Sequence, residues 1–252
     1  MKSVDHLLYE FDTLGYCKIK DFIDSEQLGE LDRLFDNLRD QRGYLDDTDV
    51  CLGKQREDGT LFISNIADAS QLSIDLGFDE RVLRILSIIM QNSFKLNHSN
   101  AIISNSGSTY PHMAGLPIHN KAFYHQRGSS ILSSLTKLVI PLANNEYDDG
   151  GFAAIPGSHK ANFEIPYEKR SKEEYNLLQH IPIKLGDAIL FTEAMTHGSL
   201  VNISGKCRKM LFYCYSMPYI PNWSTQELKI TKNFYSKLNT YQQGFVEISP
   251  TQ

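Results

Sequence analysis

The apolar residues of this 252-residue chain change their rhythm near residue 94, and that change narrows the folds open to it. Before it, apolar side chains recur at threes and fours over residues 3–14, 24–41 and 79–92. In the second stretch Leu28, Leu31, Leu34, Phe35 and Leu38 share a face behind Asp24-Ser25-Glu26, and in the third Val82, Leu83, Leu86, Ile89 and Met90 do. That spacing predicts three helices. Between the first two, residues 16–22 alternate like a short strand, and residues 42–60 are polar enough to form a loop. After residue 94 come short β-rich runs at 94–104, 129–142, 151–155, 181–184, 188–195 and 207–217, separated by Gly, Pro, Asn and Asp. Such punctuation favours an antiparallel sandwich or barrel. Helices followed by strands predict a mainly β chain with flanking α, a double-stranded β-helix (a jelly-roll, cupin-like barrel) with N-terminal helices. We expect one domain over residues 1–252: a helical part at about 1–92, the barrel at about 94–217 and a C-terminal extension at 218–252.

Composition excludes several classes of function. A formal net charge of −5 gives no electrostatic reason to expect a nucleic-acid partner. The first residues lack an apolar signal core, and no run of about 18 apolar residues is present to span a bilayer. A soluble, cytoplasmic protein without a membrane partner is expected. The cysteines Cys17, Cys51, Cys207 and Cys214 show no Cys-x-x-Cys spacing, so reduced thiols are expected and not a zinc site or disulfide framework.

Chemistry concentrates in Gly186-Asp-Ala-Ile-Leu-Phe-Thr-Glu-Ala-Met-Thr-His197-Gly-Ser199, followed after ten residues by Arg208. The pattern predicts a histidine at the end of an apolar strand and a fixed cation at the start of the next. An imidazole there can bind iron through one nitrogen while an acceptor holds the other. The planar fork of Arg208 suits a carboxylate in two-point contact. Upstream lie Leu116-Pro-Ile-His119-Asn120-Lys121 and Asp149-Gly-Gly-Phe-Ala-Ala-Ile-Pro-Gly-Ser-His159-Lys160.

These stretches resemble the phytanoyl-CoA dioxygenase family of iron(II)- and 2-oxoglutarate-dependent oxygenases. The resemblance rests on the Gly-Gly-Phe-x-x-Ile-Pro-Gly-Ser-His-Lys stretch, the Gly-Asp-x-x-x-Phe strand leading to His197-Gly-Ser, and the spacing to Arg208. Weaker agreement at residues 11–28 extends it over most of residues 5–220. It implies His119 and His197 as metal ligands, and Arg208 with Ser199 as the anchor of the cosubstrate carboxylate. Asn97, one of several polar candidates in Lys95-Leu-Asn-His-Ser-Asn, is a further cosubstrate contact. His159 is read as turn chemistry.

One departure stands out. The family's usual His-x-Asp, whose carboxylate completes a two-histidine, one-carboxylate site, is here His119-Asn120-Lys121. A protonated lysine has no lone pair for a metal and repels it. Glu193 is the first candidate for a third ligand, because a carboxylate amid Ile189, Leu190, Phe191, Ala194 and Met195 is costly to bury unless paired or bound to metal. Its alternative is an ion pair with a neighbour such as Lys121. His125 offers a three-histidine site, with His112 more remote, and Asp148 and Asp149 suit a turn. An open third position, as in halogenating members of the superfamily, suits a small residue better than Lys121.

The leading expectation is an enzyme that uses Fe(II), 2-oxoglutarate and O2 to hydroxylate or desaturate a small organic substrate, releasing succinate and CO2. The alternatives are a barrel that has lost its metal triad and binds a small acid or a protein without catalysis, and a halogenase-like oxygenase. Tyr110, Phe123, Tyr124, Arg127, Tyr213 and Trp223 are candidate pocket residues, although in a chain with 13 Tyr and 13 Phe most aromatics belong to the core.

Overall fold

The structure, a computed structural model, describes residues 2–41, 43–53, 59–104, 122–143, 145–161, 177–222 and 230–248. His119, Asn120 and Lys121, like Tyr110, His112 and Trp223, lie outside the described residues.

The helices form where the apolar spacing predicts them, and local capping sets their ends. Helix α1 (Val4–Leu14) starts at Ser3, whose hydroxyl accepts the His6 amide, and stops at the left-handed Gly15. Helix α2 (Ser25–Arg39) opens on a capping box between Asp24 and Gln27. A short α3 (Gln71–Gly77), absent from the sequence reading, precedes α4 (Glu80–Ile89). Two further turns of helix, α5 (Lys232–Lys237) and α6 (Thr240–Gln243), lie in the C-terminal stretch.

The strands, in chain order, are β1 (Tyr16–Ile19), β2 (Gly43–Tyr44), β3 (Cys51–Leu52), β4 (Leu61–Ser64), β5 (Lys95–Ser104), β6 (Tyr124–Arg127), β7 (Ser130–Ser133), β8 (Leu135–Pro141), β9 (Phe152–Ala154), β10 (Gln179–His180), β11 (Ala188–Thr192), β12 (His197–Ser199) and β13 (Arg208–Ser216). Eight of them make one sheet in the order β1-β11-β8-β13-β5-β4-β3-β2, and β10-β9-β12 make a second. The named strand pairs in both are antiparallel. Strands β6 and β7 form a separate hairpin. Beside β1, where the sequence predicts a strand, residues 43–64 supply three strands of the large sheet that it does not, two of them inside the expected loop.

Alternation along the central strands divides the molecule. Leu138, Ile140, Leu190, Leu211 and Tyr213 join the helices in the main core. Val139, Ile189, Phe191 and Met210 face the small sheet, where they pack with Phe152, Ala154, Ile181 and Ile183. The result is the mainly β arrangement with flanking helices that the sequence predicts, with two facing sheets and no closed barrel among the described residues.

Strand β13 is tied to the helical layer by polar contacts as well as packing. Its Lys209 ammonium bridges Asp32 and Asp36 of α2. The Tyr213 and Tyr215 hydroxyls donate to the carbonyls of Ser73 and Gly77, each at 2.7 Å. The Tyr213 ring lies so close to α3 that a Cβ on Gly77 would come within 2.8 Å of two ring carbons. We therefore expect Gly77→Ala to destabilise the protein. Alanine gains about 1 kcal/mol of helix propensity, while overpacking at a rigid aromatic costs roughly 1–3 kcal/mol. Urea denaturation should give a lowered midpoint; an unchanged or raised midpoint would contradict this packing.

Candidate active site

Between the two sheets lies a cavity of about 340 Å³. Alternate residues of β13, namely Arg208, Met210, Phe212 and Cys214, run along its large-sheet wall, flanked by His98, Asn100 and Ile102 of β5 and by Leu135 and Lys137 of β8. Phe152 of β9 and His197, Gly198 and Ser199 of β12 line it from the small sheet. Three of the residues singled out in the sequence, His197, Ser199 and Arg208, therefore meet in one cavity, and Glu193 joins them.

Arg208 is the electrostatic oddity of this cavity. Its guanidinium is mostly shielded from solvent; one terminal nitrogen lies 3.2 Å from the Met210 sulfur, and the buried Nε has no hydrogen-bond partner. Among the described residues no carboxylate pairs with it. Burial lowers its pKa from the ordinary value, yet an arginine stays charged. The Gly-Gly motif explains how the fork fits: a Cβ on Gly150, whose φ is +76°, would sit 3.1 Å from an Arg208 terminal nitrogen and 3.0 Å from the Leu200 carbonyl.

His197 is placed differently from the sequence expectation. Strand β11 stops at Thr192, residues 193–196 turn, and His197 opens β12 in the other sheet. The turn is closed by the Met195 amide on the Thr192 carbonyl (3.0 Å). The Pro156-Gly-Ser-His159 stretch clamps its end, since the Thr196 amide donates to the Ser158 hydroxyl (2.8 Å) and the Thr196 carbonyl accepts from Ile155 (2.9 Å). The buried imidazole places Nδ1 2.7 Å from the Met195 carbonyl. A carbonyl only accepts, so Nδ1 carries a proton, and Nε2 is the nitrogen turned into the cavity. That nitrogen is 3.6 Å from Glu193 Oε1. One nitrogen oriented by a carbonyl and the other presented beside a carboxylate is a donor set that suits a divalent metal.

Glu193 also reaches Lys137, whose ammonium is 2.9 Å from Oε1. Lys137 of β8 is thus a cation beside Glu193; Lys121, suggested for that role by the sequence, lies outside the described residues. Burial disfavours the Lys137 ammonium, and the Glu193 carboxylate more than offsets that, leaving its pKa above the ordinary value. His98, on the adjoining side of Cys214, is neutral: burial pushes its pKa down to about 3, with Lys137 acting in the same direction against Glu193. Sequence reasoning missed Lys137 and His98 as site residues. The available signal was a lysine in the otherwise apolar run Leu135-Thr-Lys-Leu-Val-Ile.

Other candidates fall elsewhere. Asn97 is not among the cavity-lining side chains; its amide donates to the Ser216 hydroxyl (2.9 Å) and the Pro221 carbonyl (3.1 Å), and its neighbours His98 and Asn100 face the cavity instead. His125 is exposed on β6 against the Phe123 ring, which removes it as a third ligand. Tyr213 faces the main core, and the aromatic lining is Phe62, Phe152, Phe191 and Phe212. His159 sits in a 3-10 turn with Nε2 3.1 Å from the Asp12 carbonyl, and Asp149 turns the chain and pairs with Lys206 at 3.3 Å. Among the described residues no group of three His, Cys, Asp or Glu side chains gathers to hold a metal, so His197 and Glu193 are one donor short.

The phytanoyl-CoA dioxygenase family matches residues 11–210. The chain belongs to that family. It is accordingly an enzyme of the 2-oxoglutarate-dependent oxygenase type. No curated protein sequence matches it. Among solved structures it is similar to HygX from Streptomyces hygroscopicus with nickel, 2-oxoglutarate and hygromycin B bound, at 18% identity over 87% of this chain and 89% of that one, with a TM-score of 0.74. The non-heme alpha-ketoglutarate-dependent epimerase SnoN from nogalamycin biosynthesis follows at 13% identity over 89% and 86% of the two chains, TM-score 0.65. AviO1 from Streptomyces viridochromogenes Tue57 has 16% identity over 88% and 98%, TM-score 0.65. At these identities the likeness speaks for the fold. No helix among the described residues is long and apolar enough to cross a membrane.

The neutral histidines make stability pH-dependent. Burial lowers His98 to about 3 and His159 to about 4, from 6.5. A depressed histidine contributes stability that is fully present above the unfolded value and is lost as pH falls toward the folded one. Unfolding free energy should therefore decline from about pH 6.5 to about pH 4, before hydrogen-bonded carboxylates such as Asp149, held low by Ser204 and Lys206, begin to contribute near 3.8. His159→Gln should flatten part of this decline in urea titrations at pH 7.5, 6 and 5. A flat wild-type profile over that range would contradict it.

Proposed function

We propose that this oxygenase binds iron(II) through His119 and His197, holds the distal carboxylate of 2-oxoglutarate on Arg208 and Ser199, and uses O2 to hydroxylate or desaturate a small organic molecule. The observation that carries this reading is the shielded Arg208 guanidinium, with its buried Nε lacking a partner, in the same cavity as an imidazole whose Nδ1 is held by a carbonyl and whose Nε2 lies beside a carboxylate. A purely structural arginine has no use for such an environment, because leaving a buried donor unsatisfied costs stability. A dicarboxylate satisfies it.

The iron–cosubstrate pair, when bound, supplies an oxidant from O2 as 2-oxoglutarate is converted to succinate and CO2. The chain's own residues do the rest. Arg208 offers a two-point fork that fixes the cosubstrate's far end, so its other end is delivered to the metal in one orientation. The Met195 carbonyl keeps His197 in the tautomer whose Nε2 can donate. Phe152, Phe191, Met210 and Phe212 exclude water from the reacting bond. HygX and SnoN, crystallised with hygromycin B and nogalamycin RO respectively, support a small-molecule substrate.

Three variants test these roles. His197→Ala should lose iron(II) from the purified protein while the circular dichroism spectrum stays that of the folded chain; stoichiometric iron with unchanged affinity would remove His197 from the metal site. Arg208→Ala should keep iron but weaken 2-oxoglutarate by roughly 2–5 kcal/mol, the cost of truncating one partner of a shielded charge pair. Arg208→Lys should recover part of that loss, a point charge standing in for a fork. Equal cosubstrate affinity in calorimetric titrations of wild type and Arg208→Ala would sink the assignment.

A further inference from the structure

We propose that Glu193, oriented by Lys137, supplies the metal-binding carboxylate that the His119-Asn120-Lys121 motif lacks. This rests on the iron-binding reading above and adds to it a ligand from a different part of the chain. In the usual pattern the carboxylate follows the first histidine by two residues; here it precedes His197 by four and comes from the turn joining the two sheets.

The geometry carries the idea. Two donors each about 2.1 Å from one ion can be no more than about 4.2 Å apart, and Glu193 Oε1 is 3.6 Å from His197 Nε2. Both side chains are nearly fully buried and line the same cavity. The backbone holds the carboxylate there independently of any ligand: the Glu193 amide donates to the Leu135 carbonyl (3.0 Å), and Thr192 pairs with Thr136 at the end of β8. A carboxylate has about four lone-pair sites, so the ion pair with Lys137 does not bar Glu193 from a metal. Ligating carboxylates are themselves commonly held by polar neighbours.

Stability alone is a poor explanation for the pair. Replacing a buried ion pair by apolar groups is often neutral or stabilising, because desolvation offsets much of the attraction. The pair also stands in the cavity wall beside the proposed ligand histidine, where apolar side chains would line the cavity at less cost. Lys137 is then a positioning residue, balancing Glu193 when no ion is bound and keeping its oxygens turned toward His197.

The test is anaerobic iron(II) binding, by competition with a chromophoric chelator, on folded wild type, His197→Ala, Glu193→Gln and the double variant Glu193→Leu/Lys137→Met. The double variant removes both charges, so no lone buried ion remains to unfold the chain. We expect Glu193→Gln and the double variant each to weaken iron(II) by about a hundredfold or more, since even outer-shell partners are worth 10–100-fold. The nitric oxide adduct of the iron form should also change its electron paramagnetic resonance signature in Glu193→Gln. If His197→Ala loses iron while both Glu193 variants bind it as wild type does, Glu193 is no ligand and the oxygenase reading stands. If wild type itself takes up no iron(II), both readings are overturned together.

Discussion

A guanidinium largely shielded from water, with no carboxylate beside it among the described residues, is the constraint around which this fold is arranged. Arg208 opens β13, the strand through which the large sheet, the helical layer and the cavity all communicate. Its neighbour Lys209 points the other way and is neutralised by Asp32 and Asp36 of α2. Alternation along one strand therefore sends one cation to a structural ion pair and the next into the cavity. The second is the expensive one, since a shielded charge is destabilising unless it is paired, and none of the described carboxylates pairs with it.

The cavity is polarised along β13. Arg208 begins the cavity-facing row of β13 and Cys214 ends it. At the Cys214 end the adjoining strands bring Lys137 and His98 to register positions opposite it, with Glu193 on Lys137. Ser199 and His197 of β12 approach from the small sheet, His197 toward Glu193. One end thus suits the carboxylate of a cosubstrate and the other a metal, with phenylalanines and Met210 in the wall between sheets.

Much of this was legible in the sequence because it depends on local chemistry. The helical spacing of Leu31, Phe35 and Leu38 and the Asp24–Gln27 cap foretell α2, and the alternation of residues 207–217 foretells which side chains of β13 share a face with Arg208. The Gly-Gly pair and the Pro-Gly-Ser-His turn were visible as motifs, but their tasks were not. Making room for the Arg208 fork and clamping Thr196 ahead of His197 are long-range contacts. The same limit explains why Lys137 went unnoticed as a neighbour of Glu193. Periodicity tells which residues share a face, whereas strand order decides which faces meet. Asn97 shows a related failure, since choosing among several polar residues of one strand requires the register, and the strand pairing shifts at Cys214–Tyr215 beside it. Finding His197 at the start of β12 instead of the end of β11 changes its meaning too: the turn that separates the strands is what carries Glu193 to it.

The central claim is that one cavity holds a metal and a dicarboxylate in mutual contact. It is tested most directly by adding iron(II) and 2-oxoglutarate, separately and together, to the metal-free protein without oxygen and recording the visible spectrum. The account predicts a metal-to-ligand charge-transfer band that appears only when both are present and saturates at one equivalent of each. A spectrum that stays flat at saturating concentrations of both would contradict it.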